Sequence, residues 1–580
     1  MLLPSIIQSV QLCALMGIRQ VVLSPGSRSA PLSIAFARHP RIQAYTFSDE
    51  RSAAFVALGM ARQSARSVAL VCTSGSAAYN YAPAIAEAFF QQIPLLVFTA
   101  DRPPEWIDQL DGQTIRQRDI YGRHVKTSYE LPVGQSHEDV WFAGRQVAEA
   151  INLSGSFPAG PVHINVPLRE PFYPAEGEEL NFDSELKVIR QHNPAPEASL
   201  ILPDSLLEEW HAYEKKLIVG GQHAKDDKLL TALSQLSLKA GIPVAADIIS
   251  NMHGLEEGIR HADIFLAYKD ENLNQSLRPE LLITYGLSVI SKNLKLFLRK
   301  YRPVAHWHIQ PSGTAADTFQ SLSRVIHADP TVFFHSLSAR AAATEATNSY
   351  HGKWQVQEKK ASTYLEGFFG GKHADATAGE FQAVREVMCG LPDGSVLHLA
   401  NSMAVRYANL IGLDKIKAGV EVVANRGTSG IDGSSSTAVG MALSSERLNV
   451  LLTGDLAFFY DRNAFWHNYS LPNLCIILLN NHGGGIFKMI DGPARQPELE
   501  EYFVTRQALE AENTARDFGM DYQCVRLKTY EDLRQLRSLL PDFYHNASSH
   551  ARILEIVTDT DTNTEIFRQY RQGLSAYFGK

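Results

Sequence analysis

The sequence predicts an α/β protein of three successive units, each a mostly parallel sheet with helices on both faces. Three observations predict it. Short apolar runs alternate with helix-period stretches along nearly the whole chain, the pattern of repeated βαβ crossovers. The runs are close to continuously apolar, as strands covered on both faces are. Two stretches without that pattern interrupt the 580 residues, a length too great for a single core.

In the first unit a helix from Ser5 is stopped by Gly17, and a strand at 20–23 ends in SPGSRS. A helix from Pro31, a strand at 44–47 and the turn SDER follow. An alanine-rich helix then runs to Ala65. Strand 68–72 stops at TSGS, a helix covers about 77–90, and strand 95–99 precedes ADRPP. Strand 162–166 is expected to be the last. Residues 167–203 are proline-bearing and acidic and read as a linker. The second unit has strand candidates at 216–219, 243–246, 281–285 and 304–309. Residues 339–378 are polar, with Gly370-Gly371, and read as a helical second linker. The third unit has strands at 396–399, 420–424, 448–452, 474–479 and 553–557. A helix is expected at 457–468, with Pro472 behind it. The expected domains are 1–185, 186–365 and 366–580. The first and third units match in layout without an obvious sequence repeat.

Composition narrows the function. A net charge of −8 argues against a general nucleic-acid binder. Five scattered cysteines without a CxxC pair read as reduced thiols, so a cytoplasmic protein is expected. No apolar run is long enough to span a membrane. The N-terminus lacks the basic start and long apolar core of a secretion signal.

The chemistry concentrates at strand ends in the third unit. GDLAFFYD follows strand 448–452, and NNHGGGIF follows strand 474–479. In a parallel sheet, ligands bind at the carboxyl ends of strands. One crossover would set Asp455 and Asn481 side by side. A carboxylate, an amide oxygen and the Gly483 carbonyl suit a hard cation such as Mg²⁺, which keeps open positions for phosphate oxygens. The helix after Gly454-Asp455 directs its N-terminus to the same place and favours a diphosphate. Taken alone, Asp455 has a plainer reading as a helix N-cap, which its pairing with Asn480-Asn481 and the glycines weakens.

A GD pair followed by NN one crossover later resembles the metal-diphosphate motif of thiamine diphosphate enzymes. The general pattern is GDG; Leu456 stands at its third place. Those enzymes need a carboxylic acid beside N1′ of the cofactor's aminopyrimidine, and Glu50 in SDERSAAF is the candidate. Its bland reading is a helix-terminus acid. SPGSRSAPL is turn chemistry, yet Ser27 and Arg28 lie at a strand end, as does Arg102 in TADRPPE. Gln113, Lys292, Ser402 and Arg406 in ANSMAVR, and Arg426 in ANRGTSGIDG, extend the set. Several guanidiniums after strands suit a substrate with more than one carboxylate.

Together these phrases, across nearly the whole chain, are similar to those of the 2-succinyl-5-enolpyruvyl-6-hydroxy-3-cyclohexene-1-carboxylate (SEPHCHC) synthase family of menaquinone biosynthesis. The resemblance implies the three-domain thiamine diphosphate fold, with 2-oxoglutarate decarboxylated and its four-carbon remainder added to isochorismate. It implies Glu50 as cofactor activator, and Asp455, Asn481 and Gly483 as ligands of Mg²⁺ or Mn²⁺. Ile431 would hold the cofactor bent. Ser429, Gly430, Gly454, Leu456 and Ile486 would complete its site. Ser27, Arg28, Arg102, Gln113, Lys292, Ser402, Arg406 and Arg426 would line the substrate site, with Ile486, Phe487 and Ile490 as an apolar wall. Asn293 stands where some members have a second basic residue, and His482 carries no assigned role. Sites shared between subunits are implied, in a homodimer or homotetramer. The rival reading is another thiamine diphosphate-dependent 2-oxoacid decarboxylase, or a carboligase like acetolactate synthase.

Overall fold

The apolar runs form three sheets in which every strand pairing is parallel. The structure is a computed structural model. It describes residues 3–579 apart from 171, 183–185, 192–199, 269, 342–348, 371–372, 491 and 547. The first sheet holds β1 (Gln20–Leu23), β2 (Gln43–Thr46), β3 (Val68–Cys72), β4 (Leu95–Asp101), β5 (Ser128–Glu130) and β6 (Val162–Pro167). The second holds β7 (Lys216–Gly220), β8 (Val244–Ala246), β9 (Leu281–Tyr285), β10 (Ala305–Gln310) and β11 (Arg324–His327). The third holds β12 (Val396–Leu399), β13 (Glu421–Ala424), β14 (Asn449–Gly454), β15 (Leu474–Asn480), β16 (Asp521–Arg526) and β17 (Arg552–Val557).

The spatial orders are β2-β1-β3-β4-β6-β5, β11-β10-β9-β7-β8 and β13-β12-β14-β15-β17-β16. The first and third sheets therefore share one connectivity, as their sequence layout predicts. Strand order reverses between β1 and β3, between β7 and β9, and between β12 and β14. A crevice opens at the carboxyl ends there. Central strands are buried on both faces: β3, β4, β6, β15 and β17 have no exposed residue.

Three strands were not expected: β5, β11 and β16. Each is the last strand on its edge of a sheet, and each is partly exposed. An edge strand covers one neighbour only, so its sequence stays polar. The crossover from β14 to β15 also departs from the single helix expected at 457–468. A short helix, Asp455–Tyr460, gives way to a 3₁₀ turn, Arg462–Phe465. Asp461 lies between them, fully buried. Its carboxylate accepts from the main-chain N–H and the hydroxyl of Ser436 at 2.8 and 2.7 Å, which turns the chain there.

The expected second linker contains a 21-residue helix, Ser349–Phe369, and this helix is built into the core. Tyr350, Trp354, Ala361 and Leu365 are buried on one stripe, and the Trp354 ring meets Phe265 and Phe297. The polar remainder of the helix masks that stripe in the sequence. The 365/366 division expected between domains falls inside this helix. The 185/186 division adjoins residues outside those described. Residues 168–203 hold no helix or strand among those described, although Phe172 and Phe182 pack on the first sheet's core. Among the described residues no helix is long and apolar enough to cross a membrane. All five cysteines are free.

The first and third sheets meet through two helices, Glu50–Ser64 and Ser434–Leu443. Glycine sets their spacing. A Cβ on Gly59 would lie 2.2 Å from the Thr437 carbonyl oxygen, and one on Gly440 would lie 2.0 Å from that of Val56. Ala53, Ala57, Ala438 and Ala442 fill the same core. Gly440→Ala gives a sign test. On an open helix face it would stabilise by up to about 1 kcal/mol. Here overpacking against backbone should cost about 1–3 kcal/mol, read as a lower denaturation midpoint in urea.

Candidate active site

The strand register builds the first part of the site. Gly454, the last residue of β14, pairs with Leu479 of β15. Asp455 and Asn481 therefore leave adjacent strands at nearly the same height. Both line a cavity of about 180 Å³ at the third sheet's carboxyl edge. Asn401 and Ser402, from the end of β12, line it too, so the cavity sits at the β12/β14 reversal. The residues that open three helices, Met403–Ile411, Asp455–Tyr460 and Ile486–Met489, face it. Amide N–H groups at helix starts favour an anion.

The donor set fits a hard cation. Asn481 donates through Nδ2 to Glu380 Oε1 at 2.7 Å, and its Oδ1 is buried with no hydrogen-bond partner. An acceptor oxygen left bare in that way costs free energy unless a cation or donor meets it. Asp455 is buried and accepts from Gln507 Nε2 at 2.7 Å. Burial raises its carboxyl above the usual range. The Gln507 amide and the N–H groups of Leu456 and Gly483 pull it back. Asp455 is in no ion pair among the described residues. Gly454, rather than Asp455, occupies the N-cap of the short helix, which removes the bland reading of Asp455. No group of three His, Cys, Asp or Glu among the described residues could hold a metal. The set expected here uses one carboxylate, one amide and one main-chain carbonyl.

The glycine run has a packing role as well. A Cβ on Gly483 would stand 2.9 Å from the Val504 carbonyl oxygen, and one on Gly485 would stand 3.1 Å from Asn481 Nδ2. His482 takes a left-handed φ of 60°, and its carbonyl accepts from the Gln507 N–H at 3.1 Å. Leu456, Ile486 and Phe487 supply apolar lining, and Phe487 packs on Phe503. Ile431 is 39% exposed and lines the cavity. Ile490 is 41% exposed.

The loop that carries Arg426, Ser429, Gly430 and Ile431 is fixed from two sides. Asn401 Nδ2 donates to the carbonyls of Asn425 and Gly430 at 2.7 and 2.6 Å, and its Oδ1 accepts from Arg426 Nη1 at 2.7 Å. From the first domain, the buried Glu87 carboxylate accepts from the N–H groups of Gly427 and Thr428 at 2.7 and 2.6 Å. It also accepts from the Thr428 hydroxyl and from Gln91. Sequence reasoning missed Glu87. Its signal was a lone charge in the otherwise uncharged helix Ala82–Gln91. Glu380 was missed as well. It opens the helix Glu380–Gly390, where an acid reads as an ordinary helix-start residue. It is buried, and burial pushes its carboxyl up to about 7.

Arg406 Nη1 donates to the Ser402 carbonyl at 2.6 Å. The residue is exposed as a whole. Its guanidinium nonetheless sits below its usual range, first because neighbouring atoms displace water from it and then through the Arg426 charge. Burial lowers Arg426 as well. Lys295 of the second domain is lowered by burial; Asp247 raises it and Arg426 lowers it. Neither Arg406 nor Arg426 is in an ion pair among the described residues. Lys292 is exposed at the start of the helix Lys292–Lys300. Ahead of it, Ser291 donates to Asp247 and Asp263. Asn293 bonds to Asp263 through both its N–H and its side chain, at 2.8 Å each.

The other expected residues lie on the first sheet, and none of them lines the cavity. Glu50 is half-buried at the start of its helix, with Oε2 accepting from Asn80 Nδ2 at 3.4 Å. Asp49 caps that helix through the Ser52 N–H, so Glu50 is not needed as its cap. Ser27 is exposed. Arg28 is buried, donating to the Leu168 carbonyl at 2.9 Å, with its guanidinium 4.4 Å from the Phe172 ring centroid. Arg102 pairs with Asp111 at 3.1 Å and donates to the Gly112 carbonyl. Gln113 is exposed at a φ of 55° and packs beside Gly75.

Comparisons with known proteins bear on the family and the fold. Residues 9–120 match the family described as thiamine pyrophosphate enzyme, N-terminal TPP binding domain. Residues 184–399 match the middle domain of thiamine pyrophosphate. The chain is 45% identical over 557 residues to 2-succinyl-5-enolpyruvyl-6-hydroxy-3-cyclohexene-1-carboxylate synthase of Cytophaga hutchinsonii, with 96% of each chain covered. This chain belongs to that synthase family. The Flavobacterium johnsoniae member is 38% identical over 573 residues, with 98% of each chain covered. The benzoylformate decarboxylase from Polynucleobacter necessarius superposes with a TM-score of 0.69 over 97% of this chain and 99% of its own. At 14% identity that likeness concerns the fold alone. As a member of the SEPHCHC synthase family, the chain is a thiamine diphosphate enzyme.

The expected metal ligands predict a graded response. Asp455→Ala removes the one charged ligand, so thiamine diphosphate affinity should fall sharply and excess Mg²⁺ should restore it in part. Asn481→Ala should act in the same direction and more mildly. Calorimetric titration of cofactor at two Mg²⁺ concentrations checks both, and unchanged affinity in both variants would move the metal elsewhere.

Proposed function

We propose that the chain makes SEPHCHC: 2-oxoglutarate loses CO₂, and its four-carbon remainder forms a new carbon–carbon bond by 1,4-addition to isochorismate. The observation that carries this reading is the couple Arg406 and Arg426, which repel each other and are in no ion pair among the described residues. Arg406 stands on the helix that opens at the cavity and Arg426 bonds to Asn401 of its lining, so anions beside the cavity would be favoured. Both proposed substrates are dicarboxylates, and a carboxylate that leaves water needs a charged, hydrogen-bonding partner.

When bound, thiamine diphosphate supplies the electron sink for decarboxylation and carries the four-carbon unit. The protein's residues hold, orient and protonate. Asp455, Asn481 and the Gly483 carbonyl would hold Mg²⁺ or Mn²⁺, and Ile431 would support the cofactor from the cavity side. Glu50 would supply the carboxyl group that exchanges a proton with the aminopyrimidine. Arg406, Arg426, Lys292 and Ser402 receive carboxylates, with Ser27, Arg102 and Gln113 contributed from a first domain. Arg28 shapes that region through Leu168 and Phe172. Ile486, Phe487 and Ile490 give the apolar wall.

Residues 1–185, 186–365 and 366–580 serve as aminopyrimidine, central and diphosphate domains in this reading. The cavity is lined by third-domain residues alone, while Glu50 stands on the first sheet. This supports a site completed between two copies, in a cytoplasmic homodimer or homotetramer.

The deciding experiment follows loss of isochorismate absorbance with 2-oxoglutarate present. Turnover on pyruvate alone would favour the acetolactate synthase-like reading instead. Glu50→Gln keeps the shape and should lower turnover by roughly 10²–10⁴ with the fold intact by circular dichroism. A loss within about threefold would remove the proton role. Arg406→Ala should leave cofactor Kd nearly unchanged and raise the KM of a dicarboxylate substrate. Loss of one partner of a desolvated charge pair costs on the order of 2–5 kcal/mol, and Arg406→Lys should recover only part because it lacks the bidentate fork. Collapse of cofactor affinity with unchanged KM would assign Arg406 to the diphosphate.

A further inference from the structure

The geometry points to Glu380 as the positioning residue that turns the Asn481 amide so that its oxygen, and not its nitrogen, meets the metal. This inference rests on the metal site proposed above. An asparagine amide is nearly symmetric in shape, and only its partners distinguish the two ends. At Asn481 the two ends are sorted: Nδ2 lies 2.7 Å from Glu380 Oε1, and Oδ1 is buried and bare. With the amide reversed, two acceptor oxygens would oppose each other at Glu380, and an NH₂ group would face the cation.

Glu380 is itself held so that it accepts. Asn563 Nδ2 donates to Thr558 Oγ1 at 2.9 Å, so the Thr558 hydroxyl proton is free to point to Glu380 Oε1, 3.4 Å away. The Glu380 N–H donates to Asn563 Oδ1 at 2.9 Å. The side-chain donors therefore run one way, from Asn563 through Thr558 to the Glu380 carboxylate, and from Asn481 to the same oxygen, while the Glu380 main-chain N–H is used on Asn563. The backbone under Asn481 is fixed separately, since the Thr560 hydroxyl donates to its carbonyl at 2.6 Å. Glu380 is 2% exposed, so water does not compete for its oxygen. Outer partners that orient metal ligands commonly set affinity by 10–100-fold.

The test measures Mn²⁺ affinity in the presence of thiamine diphosphate, by the electron paramagnetic resonance signal of free Mn²⁺, with no turnover involved. Glu380→Asp keeps the charge but withdraws the acceptor by one methylene; Glu380→Gln keeps an acceptor oxygen in place without the charge. Positioning predicts that Glu380→Asp weakens Mn²⁺ by about 10–100-fold and that Glu380→Gln stays within a few-fold of the parent. A role through charge alone predicts the reverse order, and that outcome overturns the inference. The second readout repeats Glu380→Asp in an Asn481→Ala background. If Glu380 acts through the amide, the double variant binds Mn²⁺ as Asn481→Ala does, because the shared partner is already gone. Additive losses would overturn the inference while leaving the metal site standing. A parent protein that binds no Mn²⁺ with the cofactor would overturn the site and the inference together.

Discussion

Parallel pairing of β14 with β15 is the constraint on which the site depends. In a parallel sheet both strands end at the same edge, so their carboxyl-terminal residues are delivered to one place without any loop having to find it. The Gly454–Leu479 register then fixes Asp455 and Asn481 at matching height. A slip of one residue would turn the apolar side chains of β15 to opposite faces. Burial of that strand on both sides makes the register costly to change. The two expected cation ligands are thus brought together by the same strand packing that stabilises the third sheet.

Around that fixed pair the site is assembled from shorter-range hydrogen bonding by buried polar groups. Asn401 spans the loop of Arg426 from below and holds Arg426 itself, while Glu87 reaches it from the first domain. Asn401 and Glu87 have their bonding capacity used inside the protein, the condition under which buried polar groups rigidify rather than destabilise. The loop of Arg426 therefore depends on docking between the first and third domains. That docking depends in turn on Gly59 and Gly440, which let two helix backbones approach. Stability of the interface and geometry of the site are consequently one problem in this chain.

Charge is distributed with the same economy. Arg28 meets the Leu168 carbonyl and the Phe172 ring, and Arg102 meets Asp111 and the Gly112 carbonyl, so both are held in place at the first domain's strand ends. Arg406 and Arg426 are in no ion pair among the described residues, although the Asp263 charge favours the charged form of Arg406 and the Glu87 and Asp247 charges that of Arg426. Guanidiniums of equal promise in the sequence thus differ in whether a side chain of the protein contacts them as an ion pair or ring, and only the fold shows which.

The sequence alone determined the three parallel α/β units, the central strands and the strand-end motifs. Each of these is written locally: an apolar run of strand length, a turn, or a GD and an NN pair one crossover apart. It also marked Asp455, Asn481 and Glu50 as candidates, through acids and an amide placed after strands and through the family resemblance of the phrases that hold them. Only the tertiary structure decided what depends on distant partners. The edge strands β5, β11 and β16 exist through one neighbour each, so their own residues stay polar. The helix Ser349–Phe369 looks like a linker until Trp354 finds Phe265 and Phe297. Glu87 and Glu380 read as ordinary helix acids because the loop of Gly427 and Thr428, and the amide of Asn481, reach them only through the fold. A hydrogen bond between residues far apart in the chain leaves no spacing to read. Its energy comes from the burial that brings both ends together.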